Sequence, residues 1–177
     1  MIDDETRSRP PGFDFTATAA SIRGLRPALP RDTPAVQRLI ATIFADYDYV
    51  LDVEREDPHL RDPGGYFRAT GGEFWVVENA AGEIVATVAV YLHTDAAELK
   101  SLYVAAPVRR AGLGRRLTEL VLGYARQCGR RTLFLWSDTR FSDAHRLYEK
   151  LGFVRDGVRN ICCANEFAEY HFTRATG

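Results

Sequence analysis

The chain has 177 residues, 46% of them hydrophobic, and 23 basic against 24 acidic side chains for a net charge of -1. That is apolar material for one ordinary domain and too little for two full cores, and the balanced charge gives the molecule as a whole no pull toward nucleic acid or anionic lipid. Cys128, Cys162 and Cys163 form neither a disulfide framework nor a zinc spacing, and the charged, proline-bearing start lacks the apolar stretch of a signal peptide or membrane anchor, so a cytoplasmic protein is expected.

Residues 1–20 read as a flexible arm, with a single domain over 21–177. A first strand is expected over 22–29. Asp32 or Thr33 can cap a following helix, whose apolar face is Val36, Leu39, Ile40, Ile43 and Phe44. Residues 46–63 carry acidic, aromatic and proline residues and read as a second, shorter helical or loop region. The runs 74–77 and 84–91, joined by Asn79, Ala80, Ala81 and Gly82, predict an antiparallel hairpin, and 98–104 predicts the next strand. Leu113, Leu117, Leu120, Val121 and Tyr124 then share one helical face, with Gly129 as the stop. A strand over 132–136, a helix over 142–150 ending at Gly152, and strands near 153–156 and 167–173 complete a mixed α/β sheet.

The chemistry concentrates between Glu98 and Gly114: a strand, ELKSLYV, then AAPVRRAGLG, then the long amphipathic helix. Gly112 and Gly114 let the backbone approach an anion closely, and free amides at a helix N-terminus favour negative charge. A tight loop or close helix packing would use the same two glycines. The Rossmann fingerprint fails for want of a glycine at Leu117, and the P-loop for want of Lys and Ser or Thr after the glycine.

Arg109, Arg110, Ala111, Gly112, Leu113 and Gly114 resemble the Arg/Gln-x-x-Gly-x-Gly/Ala motif of the GNAT superfamily of acetyltransferases. The run AHRLYEKLGF, from Ala144 to Phe153, is similar to that family's closing helix and its Leu-Gly-Phe turn. The resemblance implies a GNAT fold, a mostly antiparallel central sheet splayed into a V and flanked by helices. It also implies an N-acetyltransferase that moves the acetyl group of acetyl-CoA to a primary amine by direct attack in a ternary complex. By that resemblance Leu102, Tyr103 and Val104 bind pantetheine through their backbones. Arg109, Arg110, Ala111, Gly112, Leu113, Gly114 and Arg115 take the pyrophosphate, and an amide at Val104 supports the oxyanion. Tyr148 is the acid that protonates the departing thiolate, and Glu98, eleven residues before Arg109, or a water chain is the base. Phe141 departs from the pattern, standing where many relatives have a cofactor-binding asparagine; Asp138, Thr139 or a backbone group are the candidates to compensate.

Other constellations have plainer readings. Ser142, Asp143 and His145 are too close in one turn for a hydrolase triad, and Ser142 reads as a helix cap. His59, His93 and His171 have no metal-ligand spacing, so no metal is expected. Six acidic residues from Asp46 to Asp57, interleaved with Tyr47 and Tyr49, either draw in a cationic amine or form a solvated face. Trp75, Tyr66 and Tyr170 line the pocket or fill the core. The rival functions are a non-catalytic CoA-binding or sensor module on the same fold and a nucleic-acid patch built on VRRAGLGRR with Arg130 and Arg131, the latter disfavoured by the near-neutral charge. The expected partner is a small-molecule or protein amine, without nucleic acid or membrane, for a monomer or homodimer.

Overall fold

The structure is a computed structural model that describes residues 21–161 and 167–177. The expected arm over 1–20, and Cys162 and Cys163, lie outside the described residues. Among those residues seven strands form one sheet in the spatial order β1-β2-β3-β4-β5-β7-β6. They are β1 (Leu25–Pro27), β2 (Glu73–Glu78), β3 (Ile84–Leu92), β4 (Ala96–Val104), β5 (Thr132–Asp138), β6 (Val154–Ile161) and β7 (Phe167–Ala175). Every neighbouring pair is antiparallel except β4 with β5. The helices are α1 (Thr33–Ala45), α2 (Pro63–Arg68), α3 (Leu113–Gln127) and α4 (Ser142–Lys150). No helix among the described residues is long and apolar enough to cross a membrane.

Strand alternation sends the sheet's side chains to two cores. Trp75, Val77, Val88, Val90, Leu99, Leu133, Leu135 and Phe172 face α3 and α4, where Leu117, Val121, Tyr124 and Tyr148 meet them. Phe74, Val76 and Ala89 face the opposite way, onto Val36 and Ile40 of α1, Leu60 and Phe67. The hairpin β2–β3 forms as expected, its turn closed by Asn79, whose side-chain oxygen accepts from the amides of Ala81 and Glu83 at 2.9 Å.

Several boundaries differ from the sequence expectation. Asp32 does occupy the cap of α1 but makes no side-chain capping bond to it; its carboxylate holds the Leu29 amide (2.8 Å) and the Arg26 guanidinium instead. Ser142 is the first residue of α4 and not its cap, a position that falls to Phe141, which has no capping side chain. Of the two readings of 46–63, short helix or loop, the loop holds apart from a 3-10 turn, Pro58–Leu60, and Pro63 opens α2.

Candidate functional site

The parallel pair β4–β5 is registered only at Ala96 with Thr132, Ala97 with Leu133 and Glu98 with Phe134. Beyond Glu98 the two strands carry no further pairing, while β5 keeps full register with β7 up to Asp138 and Glu169. The sheet therefore opens between the C-terminal halves of β4 and β5. A bulge in β4 accompanies the opening: Ser101 and Leu102 both stand opposite Val88, Ser101 has φ 51°, and Thr87 Oγ1 donates to the Ser101 carbonyl at 2.7 Å.

The ladder settles which backbone groups face the gap. Ala105 N–H donates to Val85 O at 2.9 Å, and Ala86 registers with Val104. Antiparallel pairs alternate between hydrogen-bonded and non-hydrogen-bonded, so the N–H and C=O of Val104 point away from β3 and into the gap. By the same alternation Tyr103 spends its backbone on Thr87. Its side chain goes to the α1 face, where its ring meets Phe44 at 5.7 Å. Of the three residues expected to bind pantetheine by backbone, Leu102 and Val104 border the gap and Tyr103 contributes a ring.

At the mouth of the gap a 3-10 turn, Ala106–Val108, leads into α3. The first bond of the helix runs from Arg116 N–H to Gly112 O at 3.1 Å, which leaves the amides of Gly112, Leu113, Gly114 and Arg115 without intrahelical partners. Arg110 (φ 65°) and Gly112 (φ 78°) are both left-handed, a backbone path that turns successive N–H groups into a concave nest. A Cβ on Gly114 would meet only the flexible end of Leu147, at 3.4 Å, so packing does not require a glycine there. These features fit a diphosphate. Arg109 braces the loop by donating from Nε to Val104 O at 2.8 Å. Arg116, which the motif does not single out, ties Ala111 O (3.2 Å) and Ser21 O (3.0 Å), and Arg115 pairs with Glu119 at 2.9 Å. Arg110 is exposed and makes no side-chain bond among the described residues.

On the α4 side of the gap, Tyr148 is 5% exposed, with its ring against Phe153 and Phe172. Its hydroxyl has no hydrogen-bond partner among the described residues, and burial holds it protonated far above the ordinary tyrosine range. Tyr103 is likewise pushed up, by burial first and then by the negative charges of Asp57, Glu169 and Asp138. Phe141 packs edge-on against Tyr47 (4.7 Å). Asp138, a candidate to replace the missing asparagine, is committed internally: Tyr49 donates to its Oδ2, and the Arg140 amide (2.8 Å) and guanidinium hold Oδ1.

The expected base lies on the face opposite α3. Glu98 Oε1 accepts from Lys100 Nζ and Oε2 meets His93 Nε2, both at 3.1 Å, so both oxygens of the expected base are engaged. His59 Nε2 reaches Ser101 Oγ at 3.4 Å, and its ring lies among Tyr66 and Phe67. Burial, with Lys100 adding to it, lowers His59 to about 4. Its folded pKa lies below its unfolded value, so the stability it contributes is full above about pH 6.5 and is lost as pH falls toward 4. Relative to His59→Gln, the wild type is expected to lose about 2 kcal/mol between pH 7.5 and 4.5, measured by urea unfolding at each pH. Sequence reading singled out neither this contact nor the bulge residue Ser101; a serine inside an otherwise apolar strand end was the available signal.

A profile of the acetyltransferase (GNAT) family matches residues 36–153. The chain is 30% identical over 129 residues to the uncharacterized N-acetyltransferase YjgM of Escherichia coli, covering 70% of this chain and 77% of that one. Its fold is similar to an acetyltransferase of Streptococcus agalactiae (TM-score 0.72, 19% identity, 85% of this chain and 96% of that one). It is also similar to a GNAT superfamily phosphinothricin acetyltransferase of Sinorhizobium meliloti solved with acetyl-CoA (TM-score 0.66, 14% identity, 85% and 86%). With the splayed sheet, the glycine-bearing helix start and these matches together, the chain belongs to the GNAT family of acetyl-CoA-dependent N-acetyltransferases.

Proposed function

We propose that the protein acetylates a primary amine directly, with acetyl-CoA lying in the gap between β4 and β5. The observation that carries this reading is the gap itself, which has the Val104 N–H turned into it and leads to the four free amides of α3. Bound acetyl-CoA supplies an activated acetyl thioester. The amides of Gly112, Leu113, Gly114 and Arg115 hold its diphosphate, aided by the helix dipole and the positive charge of Arg109, Arg110 and Arg115. Leu102 borders its pantetheine arm, and the Val104 amide donates to the carbonyl oxygen as negative charge develops there. Tyr148, kept protonated by burial, supplies a proton to the sulfur as the acetyl group leaves it. The amine enters from the face of Asp57, His59, Glu98 and Tyr103, where a carboxylate takes its proton. Among the described residues this face has three carboxylates close to Tyr103, which suits an acceptor that arrives as a cation.

The reading is tested by calorimetry with acetyl-CoA, followed by thiol release with a panel of 2-phenylethylamine, putrescine, free amino acids and a peptide with a free α-amine. Micromolar binding and amine-dependent thiol release are expected. Absence of acetyl-CoA binding would sink the reading.

A further inference from the structure

We propose that Asp57, and not Glu98, is the carboxylate that receives the acceptor's ammonium group and takes its first proton. This rests on the reading of the protein as an amine acetyltransferase with its acceptor on the β4 face.

Four carboxylates border the acceptor side, and three are already spent. Glu98 is held on both oxygens by His93 and Lys100, Asp138 by Tyr49 and Arg140, and Glu169 by Arg159 at 2.6 Å. The Asp57 carboxylate makes no ion pair and accepts no hydrogen bond among the described residues, although the backbone carbonyl of the same residue accepts from Leu60 N–H at 2.9 Å. An aspartate just before a helical turn is ordinarily explained by capping. Asp57 sits at the cap position of the turn Pro58–Leu60, yet its side chain makes no capping bond, so local structure does not account for it.

Its place is fixed from both sides. The Asp57 amide donates to Asp52 O at 2.8 Å, Gln37 Nε2 of α1 donates to Leu60 O at 2.8 Å, and His59 touches Ser101 in the bulge of β4. The segment 57–60 is thus laid over the bulge, the point from which β4 turns its edge into the gap. The charged and titratable groups facing Asp57 are Asp52, Glu56 and His59 on its own segment and Lys100 and Tyr103 on β4, with Glu98 beside Lys100. Burial, then Glu56 and Asp52, raise Asp57 to about 6 against the lowering by Lys100, while His59 stays neutral. A carboxylate at that value is ionised at neutral pH and still basic enough to hold a proton briefly.

The protons balance. The ammonium gives one proton to Asp57, leaving a neutral amine whose lone pair forms the C–N bond as the C–S bond breaks and its electron pair leaves on sulfur. Nitrogen's second proton leaves to water as the amide forms, water returns a proton to the Tyr148 oxygen that gave its own to sulfur, and Asp57 passes the first proton to water, so each turnover releases one proton.

The test compares wild type, Asp57→Asn, Asp57→Glu and Glu98→Gln by pH profile of kcat/KM with the fastest amine of the panel, with acetyl-CoA affinity as control. Asp57→Asn removes a charge that burial opposes and is expected to fold. The expected result is a fall of about a hundredfold at pH 7.5 for Asp57→Asn, loss of its acidic limb near pH 6, unchanged acetyl-CoA affinity, partial rescue by glutamate, and a retained limb in Glu98→Gln. An Asp57→Asn enzyme within threefold of wild type, or a limb that vanishes in Glu98→Gln instead, overturns the assignment. So does a wild type that binds acetyl-CoA but acetylates none of the amines. A wild type that does not bind acetyl-CoA fails at the broader reading, which separates the two.

Discussion

Gly114→Asp is expected to weaken acetyl-CoA binding about a thousandfold while leaving thermal stability unchanged or slightly raised. Two readings of this glycine compete, and they predict opposite outcomes. If Gly114 were there for close helix packing, any side chain would destabilise the fold. The space around it argues otherwise, since an added Cβ meets only the end of Leu147 at 3.4 Å. A carboxylate in the first turn of α3 interacts favourably with the helix dipole, by about 0.3–1 kcal/mol. The same carboxylate would stand beside a bound diphosphate, and repulsion between unit charges about 4 Å apart costs about 4 kcal/mol at an effective dielectric constant near 20, equivalent to the thousandfold loss. Calorimetry and a melting curve on one preparation read both quantities. A melting temperature that falls with affinity intact would return Gly114 to a packing role.

Tyr148→Phe is expected to lower kcat about a thousandfold with acetyl-CoA affinity within about threefold of wild type. The substitution removes one oxygen that has no hydrogen-bond partner among the described residues and keeps the ring against Phe153 and Phe172, so packing gives little reason for a loss. A general acid gives a strong one. Because burial holds the hydroxyl protonated well beyond the physiological range, the wild type should show no loss of the acid form up to about pH 9, and the basic side of its profile should be flat there. Single-turnover thiol release from enzyme saturated with acetyl-CoA and amine measures the step. Unchanged turnover in Tyr148→Phe would support the non-catalytic role of this tyrosine as a packing residue.

The proposed cofactor half of the site draws on elements that were legible in the sequence because they are local. The strand, the two glycines and the amphipathic helix are contiguous from Glu98 to Gln127, and the family resemblance chose an anion cradle over the tight loop that the glycines alone left open. The sheet was legible for a similar reason, since each strand carries its own alternation and each turn its own Asn or Gly. The contacts of the proposed acceptor half were not, because they are assembled across the chain. His59 meets Ser101 over 42 residues and Tyr49 meets Asp138 over 89, contacts that no spacing rule predicts. Glu98 was singled out by the resemblance, which implies a glutamate at that spacing before the arginine loop. What a spacing cannot carry is that His93 and Lys100 fold onto the same carboxylate. Asp57 looked like one acidic residue among six, and only the fold separates it from the others by leaving it uncapped and laid over the bulge.

The central claim is that acetyl-CoA occupies the gap between β4 and β5 with its phosphates on the start of α3. Amide hydrogen exchange with and without saturating acetyl-CoA tests it most directly, in peptides covering 99–104 and 110–116. Exchange is expected to slow about tenfold or more in both segments, because the Val104 amide and the amides of Gly112 to Arg115 gain partners together, while the hairpin β2–β3 is unaffected. Acetyl-CoA that binds by calorimetry yet protects neither segment would contradict the account and place the cofactor elsewhere on the molecule.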